Sequence, residues 1–326
     1  MKQAAQQIAS ASNILICCHV APDGDAIGSL LGLGLALRQT GRRVTMSCSD
    51  PVPQSCRHLP HWEAITQSPG YANLDLVISL DCGDLERLGS VYNAEALAGV
   101  PIANIDHHAT NTRFGQTNWV DTQAAATAQM LVYLIEELGI FFSIDVATCL
   151  LNGILTDTLG FRTANTTAEV MDTATKLMRA GAPLTSLTDS IYNRRPMSVV
   201  QMWSAALQDM HLEGRIIWSQ ITLELRQRVG YNENGSSGLV SFLCSVDEVD
   251  IAVIFEEAEN GQVNVSMRAA PGFSVSQIAF VLGGGGHPQA AGCSIHAAMP
   301  EAREQVLSLL RQAWQEQRLT RANGDI

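Results

Sequence analysis

The sequence predicts an α/β protein. An N-terminal domain with a mostly parallel sheet flanked by helices should be followed by a smaller α+β C-terminal domain. Three observations carry this. In the first half, short apolar runs alternate with helix-length segments, the signature of βαβ units. After about residue 190 the pattern turns to alternating, strand-like stretches. The chain has 326 residues, more than the roughly 100–200 of one average domain.

Asn13 to Cys18 reads as a buried strand, running into the loop His19-Val20-Ala21-Pro22-Asp23-Gly24-Asp25. A helix is expected from Ala26 to about Arg38, with Gly41 as its stop. Strands follow at Val44 to Cys48, at Leu74 to Leu80 before Asp81, and at Val100 to Ile105 before Asp106-His107-His108. Gln123 to Leu138 and Val146 to Thr156 read as helices. We expect a first domain over 1–190, a linker helix or connector over 191–209 containing Tyr192-Asn193-Arg194-Arg195-Pro196, and a second domain over 210–326. In the second part, Ser198 to Met210 reads as a helix. Arg215 to Leu223, Ile251 to Glu256 and Gln262 to Met267 read as strands, and a glycine cluster follows at Gly283 to Gly286. The polar tail Thr320 to Ile326 is expected to fray.

Composition excludes several classes. With 46% apolar and 16% charged residues the chain is not disordered. Its longest apolar run, Leu30 to Leu37, is under half the roughly 20 residues that span a bilayer. The first twelve residues lack the apolar core of a secretion signal. The eight cysteines form no C-x-x-C, so buried thiols in a reducing cytoplasm fit better than disulfides or a zinc knuckle. A net charge of −12 argues against a groove for long duplex DNA.

The chemistry sits at strand ends. In an open parallel sheet the carboxyl ends of the strands form one rim, where sites are built. His19, Asp81 and Asp106-His107-His108 end three predicted strands; Asp23 and Asp25 lie just beyond the first, and Asp157 closes an apolar segment. Singly, each has a plainer reading: Asp-Gly-Asp as a turn, Asp25 or Asp81 as a helix cap, His19 as a structural histidine, Asp84 and Glu86 as cap or surface residues. Together, Asp23, Asp25, Asp81 and Asp157 would gather four negative charges. At ~4 Å each like-charge pair costs about 4 kcal/mol at an effective dielectric of 20. Two divalent cations balance that charge, with His19 and His107 completing the shells. Oxygen and nitrogen donors without a thiolate favour Mn²⁺, with Mg²⁺, Co²⁺ or Zn²⁺ as alternatives. Two ions roughly 3.5–4 Å apart suit phosphoester hydrolysis, and Asp81 is placed to bridge them.

These residues, in this order, resemble the DHH phosphoesterase superfamily along most of the chain. His19-x-x-Pro22-Asp23-x-Asp25-x-x-Gly28-Ser29 is similar to its first motif and Asp81-Cys82-Gly83-Asp84, with Arg87 and Gly89, to its second. Asp106-His107-His108, with Asn111 and Phe114, is similar to the third, and Gly153-Ile154-x-Thr156-Asp157-Thr158, with Phe161-Arg162, to the fourth. Leu159-Gly160 departs from the family, which often has glycine directly after Thr-Asp-Thr. The resemblance implies that His19, Asp23 and Asp81 hold one metal, and Asp25, Asp81, His107 and Asp157 the other. It implies that His108 faces the scissile phosphate and that Asp106 orients a histidine.

The second domain resembles the DHHA1 module, on Gly283-Gly284-Gly285-Gly286-His287-Pro288-Gln289-Ala290-Ala291-Gly292 with Ser266-Met267-Arg268 upstream. By this resemblance Gly284, Gly285, Gly286, His287 and Arg268 bind substrate. Glycines let backbone N–H groups approach a phosphate, and arginine can grip it bidentately. Two domains and little else resemble the compact NrnA-like members. The implied activities are hydrolysis of nanoRNAs of a few nucleotides and of 3′-phosphoadenosine 5′-phosphate (pAp). A catalytic rim facing a glycine loop across a cleft would select short substrates. The alternatives are a phosphodiesterase for cyclic di-AMP or pApA, a catalytically silent nucleotide-binding regulator, and a protein whose metals only hold the fold. No membrane partner is expected, and a homodimer stays open.

Overall fold

The computed structural model describes residues 1–232 and 235–322. It divides into two compact units, Met1–Arg194 and Arg195–Ile326.

In the first unit, α1 (Lys2–Ser10) precedes β1 (Asn13–Cys18), α2 (Gly24–Arg38), β2 (Arg43–Ser47), β3 (Ile65–Thr66), β4 (Leu76–Leu80), β5 (Ile102–Asp106) and β6 (Thr117–Val120). Helices α3 (Thr127–Glu137), α4 (Ile144–Asp157), α5 (Ala168–Arg179) and α6 (Leu184–Thr188) follow, with one π-helical turn at Asp189–Asn193. The six strands are parallel throughout, in the order β3-β2-β1-β4-β5-β6. Chain direction across the sheet reverses between β1 and β4, which opens a crevice at their carboxyl ends.

Strand β1 alternates between two cores. Ile14, Ile16 and Cys18 face a core shared with α2, α3 and α4. Leu15 and Cys17 face a smaller one closed by Leu88, Val91 and Leu97. Helix α2 is apolar all round and buried along most of its length, hence its close packing on α4. A Cβ on Gly28 would stand 2.5 Å from the Cys149 carbonyl oxygen, so only glycine lets these two helices approach.

The second unit holds α7 (Met197–Gln208), β7 (His211–Glu213), β8 (Ile216–Ile221), α8 (Leu223–Val229), α9 (Leu239–Cys244), β9 (Ile251–Glu257) and β10 (Val263–Ala269). It ends with α10 (Ser276–Val281), β11 (Gly285–His287), β12 (Ala290–Ile295) and α11 (Met299–Ala322). Its sheet runs β11-β12-β10-β9-β8-β7 and is antiparallel except for β8 beside β9. One face packs on α10 and α11, the other on α7 and α9.

Several expectations shift. The 191–209 stretch is more than a connector: Val199, Met202 and Ala206 of α7 are buried with Ile217 and Leu225 of the second unit. Helix α3 starts at Thr127, not Gln123, because Asp121–Ala126 forms a turn. The glycine cluster contributes a strand, β11. The tail is helical to Ala322, and residues 323–326 lie outside the described residues. All eight cysteines are free and seven are buried. Among the described residues no helix is long and apolar enough to cross a membrane.

Candidate metal centre

Strand register makes the rim. Cys18 pairs with Leu80 and Leu80 with Ile105, so His19, Asp81 and Asp106 stand level at the ends of adjacent strands β1, β4 and β5. This is the crevice where the strand order reverses. Asp81 takes a left-handed backbone (φ 55°), which ends its strand and turns its carboxylate along the rim.

The two oxygens of Asp81 face two histidines. Oδ2 lies 3.5 Å from His19 Nε2 and Oδ1 lies 3.5 Å from His107 Nε2. Three groups of side chains have ligand atoms close enough to hold an ion: His19 with Asp23 and Asp81, Asp25 with His107 and Asp157, and Asp81 with His107 and His108. The residues singled out from the sequence therefore converge, with Asp81 between the first two groups.

The Asp23–Gly24–Asp25 turn opens α2. The Asp23 carboxylate is the N-cap, accepting from Asp25 N and Ala26 N at 3.0 Å each. Asp25 is not the cap. Fully buried, it accepts from the backbone N–H groups of Thr127 (2.6 Å) and Ala128 (3.0 Å) at the start of α3, and from Ser29 Oγ. Thr127 Oγ1 also donates to Asp81 Oδ1 at 3.0 Å. Asp157 is the last residue of α4 and approaches His107 Nε2 at 3.2 Å.

The protein fits the ions this donor set implies. His107 Nδ1 lies 3.3 Å from the Ala124 carbonyl, which can only accept, so Nδ1 carries the proton and Nε2 presents a lone pair. That Nε2 is buried 3.2 Å from an Asp157 oxygen and 3.5 Å from an Asp81 oxygen with no hydrogen bond formed to a described group, a position that a cation between the three atoms would fill. His19 repeats the pattern, with Nδ1 2.8 Å from the Val20 carbonyl. Arg87 Nη2 also lies 3.1 Å from His19 Nδ1, but one nitrogen cannot donate to one and accept from the other. The shorter contact, to an obligate acceptor, decides the tautomer.

Electrostatics point the same way. Burial lowers the imidazoles, yet Asp81 and its neighbours outweigh it: His19 is pulled up to about 9 and His107, through Asp157 and Asp81, to about 10. Burial would raise Asp81, but His19, His107 and His108 hold it well below the usual carboxylate range. Burial pushes Asp157 up to about 6 and raises Asp25. The cluster demands positive charge, from protons or from cations.

Asp106 stands behind the rim. Its Oδ1 lies 2.8 Å from His108 Nδ1 and accepts from His107 N at 2.9 Å, while Oδ2 accepts from Asn111 Nδ2 at 2.6 Å. The Asp106 bond raises the His108 imidazole above its ordinary value. Asp84 caps the short helix at Leu85–Val91, accepting from Glu86 N. After Asp157, Leu159, Gly160 and Phe161 all have positive φ (49°, 71° and 65°). Leu159 thus adopts the glycine-like conformation without being glycine. Hydrogen bonds to Leu155, Thr156 and Thr158 hold the loop.

In the second unit, Arg268 pairs with Ala290 and Ala290 with His287 across β10, β12 and β11. Cross-strand partners share a face, so the two cationic-type side chains flank a small alanine, their strands about 10 Å apart. Arg268 is half-buried and forms no ion pair with a described residue; Nη1 donates to its neighbour's carbonyl at 3.0 Å. The glycines divide by role. Gly283 has φ 78° and closes α10, and Gly284 N donates to Ala279 O. A Cβ on Gly284 would stand 2.1 Å from the Gly292 carbonyl oxygen, and Gly286 has φ 136°. Gly285 alone has an ordinary φ and open space where a Cβ would go, so the fold does not require glycine there.

The family models agree with this layout. The DHH family N-terminal domain matches residues 13–154 and the DHHA1 domain matches 215–316. A relative from Thermus thermophilus, named bifunctional oligoribonuclease and PAP phosphatase NrnA, is 38% identical over 92% of this chain and 89% of its own length. The chain belongs to the DHH phosphoesterase family. A Bacillus subtilis relative of this family with the same name is 28% identical over 87% of this chain and 90% of its own. The crystal structure of an exopolyphosphatase-related protein from Bacteroides fragilis shares the fold, with a TM-score of 0.87 and 23% identity over 98% of this chain and 97% of that one.

Sequence reasoning missed Thr127 and Ala128, which hold Asp25 from 102 and 103 residues away. It also missed His58 and Asn152. Asn152 did carry a signal, as the one amide inside the apolar run Leu150 to Leu155.

Proposed function

We propose that this protein is a two-metal phosphoesterase that hydrolyses short oligonucleotides, of about two to five nucleotides, to mononucleotides, and pAp to AMP. The observation that carries this is Asp81, whose two carboxylate oxygens face two histidines belonging to two separate ligand groups. The names of the Thermus and Bacillus relatives supply the substrate classes.

In this reading His19, Asp23 and Asp81 hold one ion, and Asp25, Asp81, His107 and Asp157 the other. Mn²⁺ suits the oxygen and nitrogen donors best. When bound, the two ions supply Lewis acidity and positive charge for attack by water on a phosphoester. Asp81 fixes the spacing of the two groups because one carboxylate serves both. Asp106 fixes His108 through Nδ1, so that Nε2 delivers a proton to the leaving oxygen. Arg268 and His287 hold a substrate phosphate over Ala290, with Gly285 leaving room for close approach. The acidic net charge suits a short substrate gripped at a few points.

The test is a panel of pNpN, pAp, pApA, cyclic di-AMP and a 20-mer RNA, incubated with Mn²⁺ and with an EDTA control. Rapid loss of pNpN and pAp, abolished by EDTA, is expected. Cleavage confined to cyclic di-AMP or pApA would replace this reading with second-messenger turnover. Bound nucleotide without turnover would replace it with a binding protein.

A further inference from the structure

We infer that His58 and Asn152 are positioning residues that set the angle of the Asp23–Gly24–Asp25 turn, and so the placement of a ligand in each of the two metal groups. This rests on the two-metal reading above. Asp23 belongs to the group with His19 and Asp81, Asp25 to the group with His107 and Asp157. The peptide between them, at Gly24, is the lever: tilting it moves both carboxylates at once.

Two contacts from α4 fix that peptide. Asn152 Nδ2 donates to the Gly24 carbonyl at 3.0 Å. Thr156, one turn further on, packs against Gly24 so closely that a Cβ there would stand 2.3 Å from its Cγ2. Asn152 is completely buried, and a buried amide costs free energy unless its polar atoms are bonded. Its second bond is to His58 Nε2, at 3.0 Å from Oδ1.

The direction of every bond follows from one fact. The Gly24 carbonyl can only accept, so the Asn152 NH₂ must face it and Oδ1 must face His58. His58 must then donate from Nε2. His58 lies in the segment between β2 and β3, where Cys56 Sγ also reaches the Asp23 carbonyl at 3.9 Å. That segment, contributing no metal ligand, thereby acts on the turn that contributes two. Without the histidine, Asn152 Oδ1 is left buried with its His58 bond unmade, and the side chain is less firmly held against the Gly24 carbonyl.

The test uses His58→Ala, His58→Gln and Asn152→Leu in the full chain, with Mn²⁺ affinity by titration calorimetry and kcat and KM on pAp at saturating Mn²⁺. Groups that orient metal ligands typically change affinity 10–100-fold. We expect Asn152→Leu to weaken Mn²⁺ binding about tenfold or more and His58→Ala several-fold. Each should lower kcat while KM stays within about twofold, since neither residue belongs to the row proposed to hold the substrate phosphate. His58→Gln, whose amide can donate to Oδ1, should restore most of the loss. Mn²⁺ affinity and kcat within twofold of wild type in folded Asn152→Leu would overturn the inference. Should Asn152→Leu fail to fold, the same result in His58→Ala would do so. A wild-type protein that binds no Mn²⁺ would instead remove the two-metal reading itself.

Discussion

The rim of the first unit and the glycine row of the second are organised by opposite means. At the rim, several charged side chains are buried against the usual preference, and the turn that carries two of its carboxylates is held by distant elements: the Asp25 side chain by α3 and the Gly24 carbonyl by α4. On the β10–β12–β11 row the side chains are at least partly exposed, and the distinctive feature is a side chain that is missing, at Gly285. The rim is held in place by burial and hydrogen bonds, the preorganisation that the proposed metal site calls for. The row is a shaped opening. Damage should therefore spread at the rim and stay local on the row.

The largest effect should come from Asp81→Ala. In the proposed two-metal reading one carboxylate serves both ions, so its loss should remove several kcal/mol of transition-state stabilisation, on the order of 10³-fold in kcat. Bound Mn²⁺, measured by elemental analysis after gel filtration, should fall well below two per chain. Two retained ions would show that Asp81 does not bridge, and would weaken the contrast between rim and row.

Next come the glycines, which test the row against itself. Gly284→Ala places a Cβ 2.1 Å from a carbonyl oxygen and must shift the β12 backbone. It should cost about 1–3 kcal/mol of stability, as overpacking does, and lower Tm. Gly285→Ala has open space and should fold with an unchanged Tm, yet raise KM about tenfold by blocking close approach of a phosphate. An unchanged KM would leave Gly285 without a role. Arg268→Ala should also raise KM about tenfold while leaving Mn²⁺ content intact, since an arginine–phosphate contact contributes roughly 1.5–3 kcal/mol. Loss of metal in that variant would break the separation of the two regions.

How far each region was legible in the sequence follows from the same contrast. Strands β1, β4 and β5 were readable because each is a short, largely apolar run that gives way to a charged or imidazole side chain at its carboxyl end, and those ends carry the rim. Three of the four motifs lie at those ends and the fourth at the carboxyl end of α4, so the candidate ligands could be named in advance. The hydrogen bonds that make the rim rigid could not: Thr127 and Ala128 serve Asp25 through backbone N–H groups, which every residue has. Short or atypical elements were also hidden. Strand β3 has two residues, and β11 is two glycines and a histidine, a composition that reads as loop. The glycine run gave its position but not its division of labour, which only the backbone angles and the clashes reveal.

The smallest effect expected is at Leu159, and it tests whether the rim's rigidity extends past Asp157. A non-glycine residue in the left-handed region costs roughly 1–2 kcal/mol. Glycine at that position removes the strain but gives the unfolded chain more freedom, a loss of roughly 0.5–1 kcal/mol. Leu159 is 52% exposed, so little packing is at stake. The balance predicts that Leu159→Gly stabilises by about 0.5–1 kcal/mol in urea denaturation. Its kcat should match the wild type, because the hydrogen bonds from Gly160, Arg162 and Thr163 to Leu155 and Thr158 do not involve the leucine side chain. A stabilised variant with reduced kcat would mean that the strained leucine itself helps place Asp157. The rim would then depend on backbone strain as well as on buried bonds, a device for which the row offers no counterpart at Gly285.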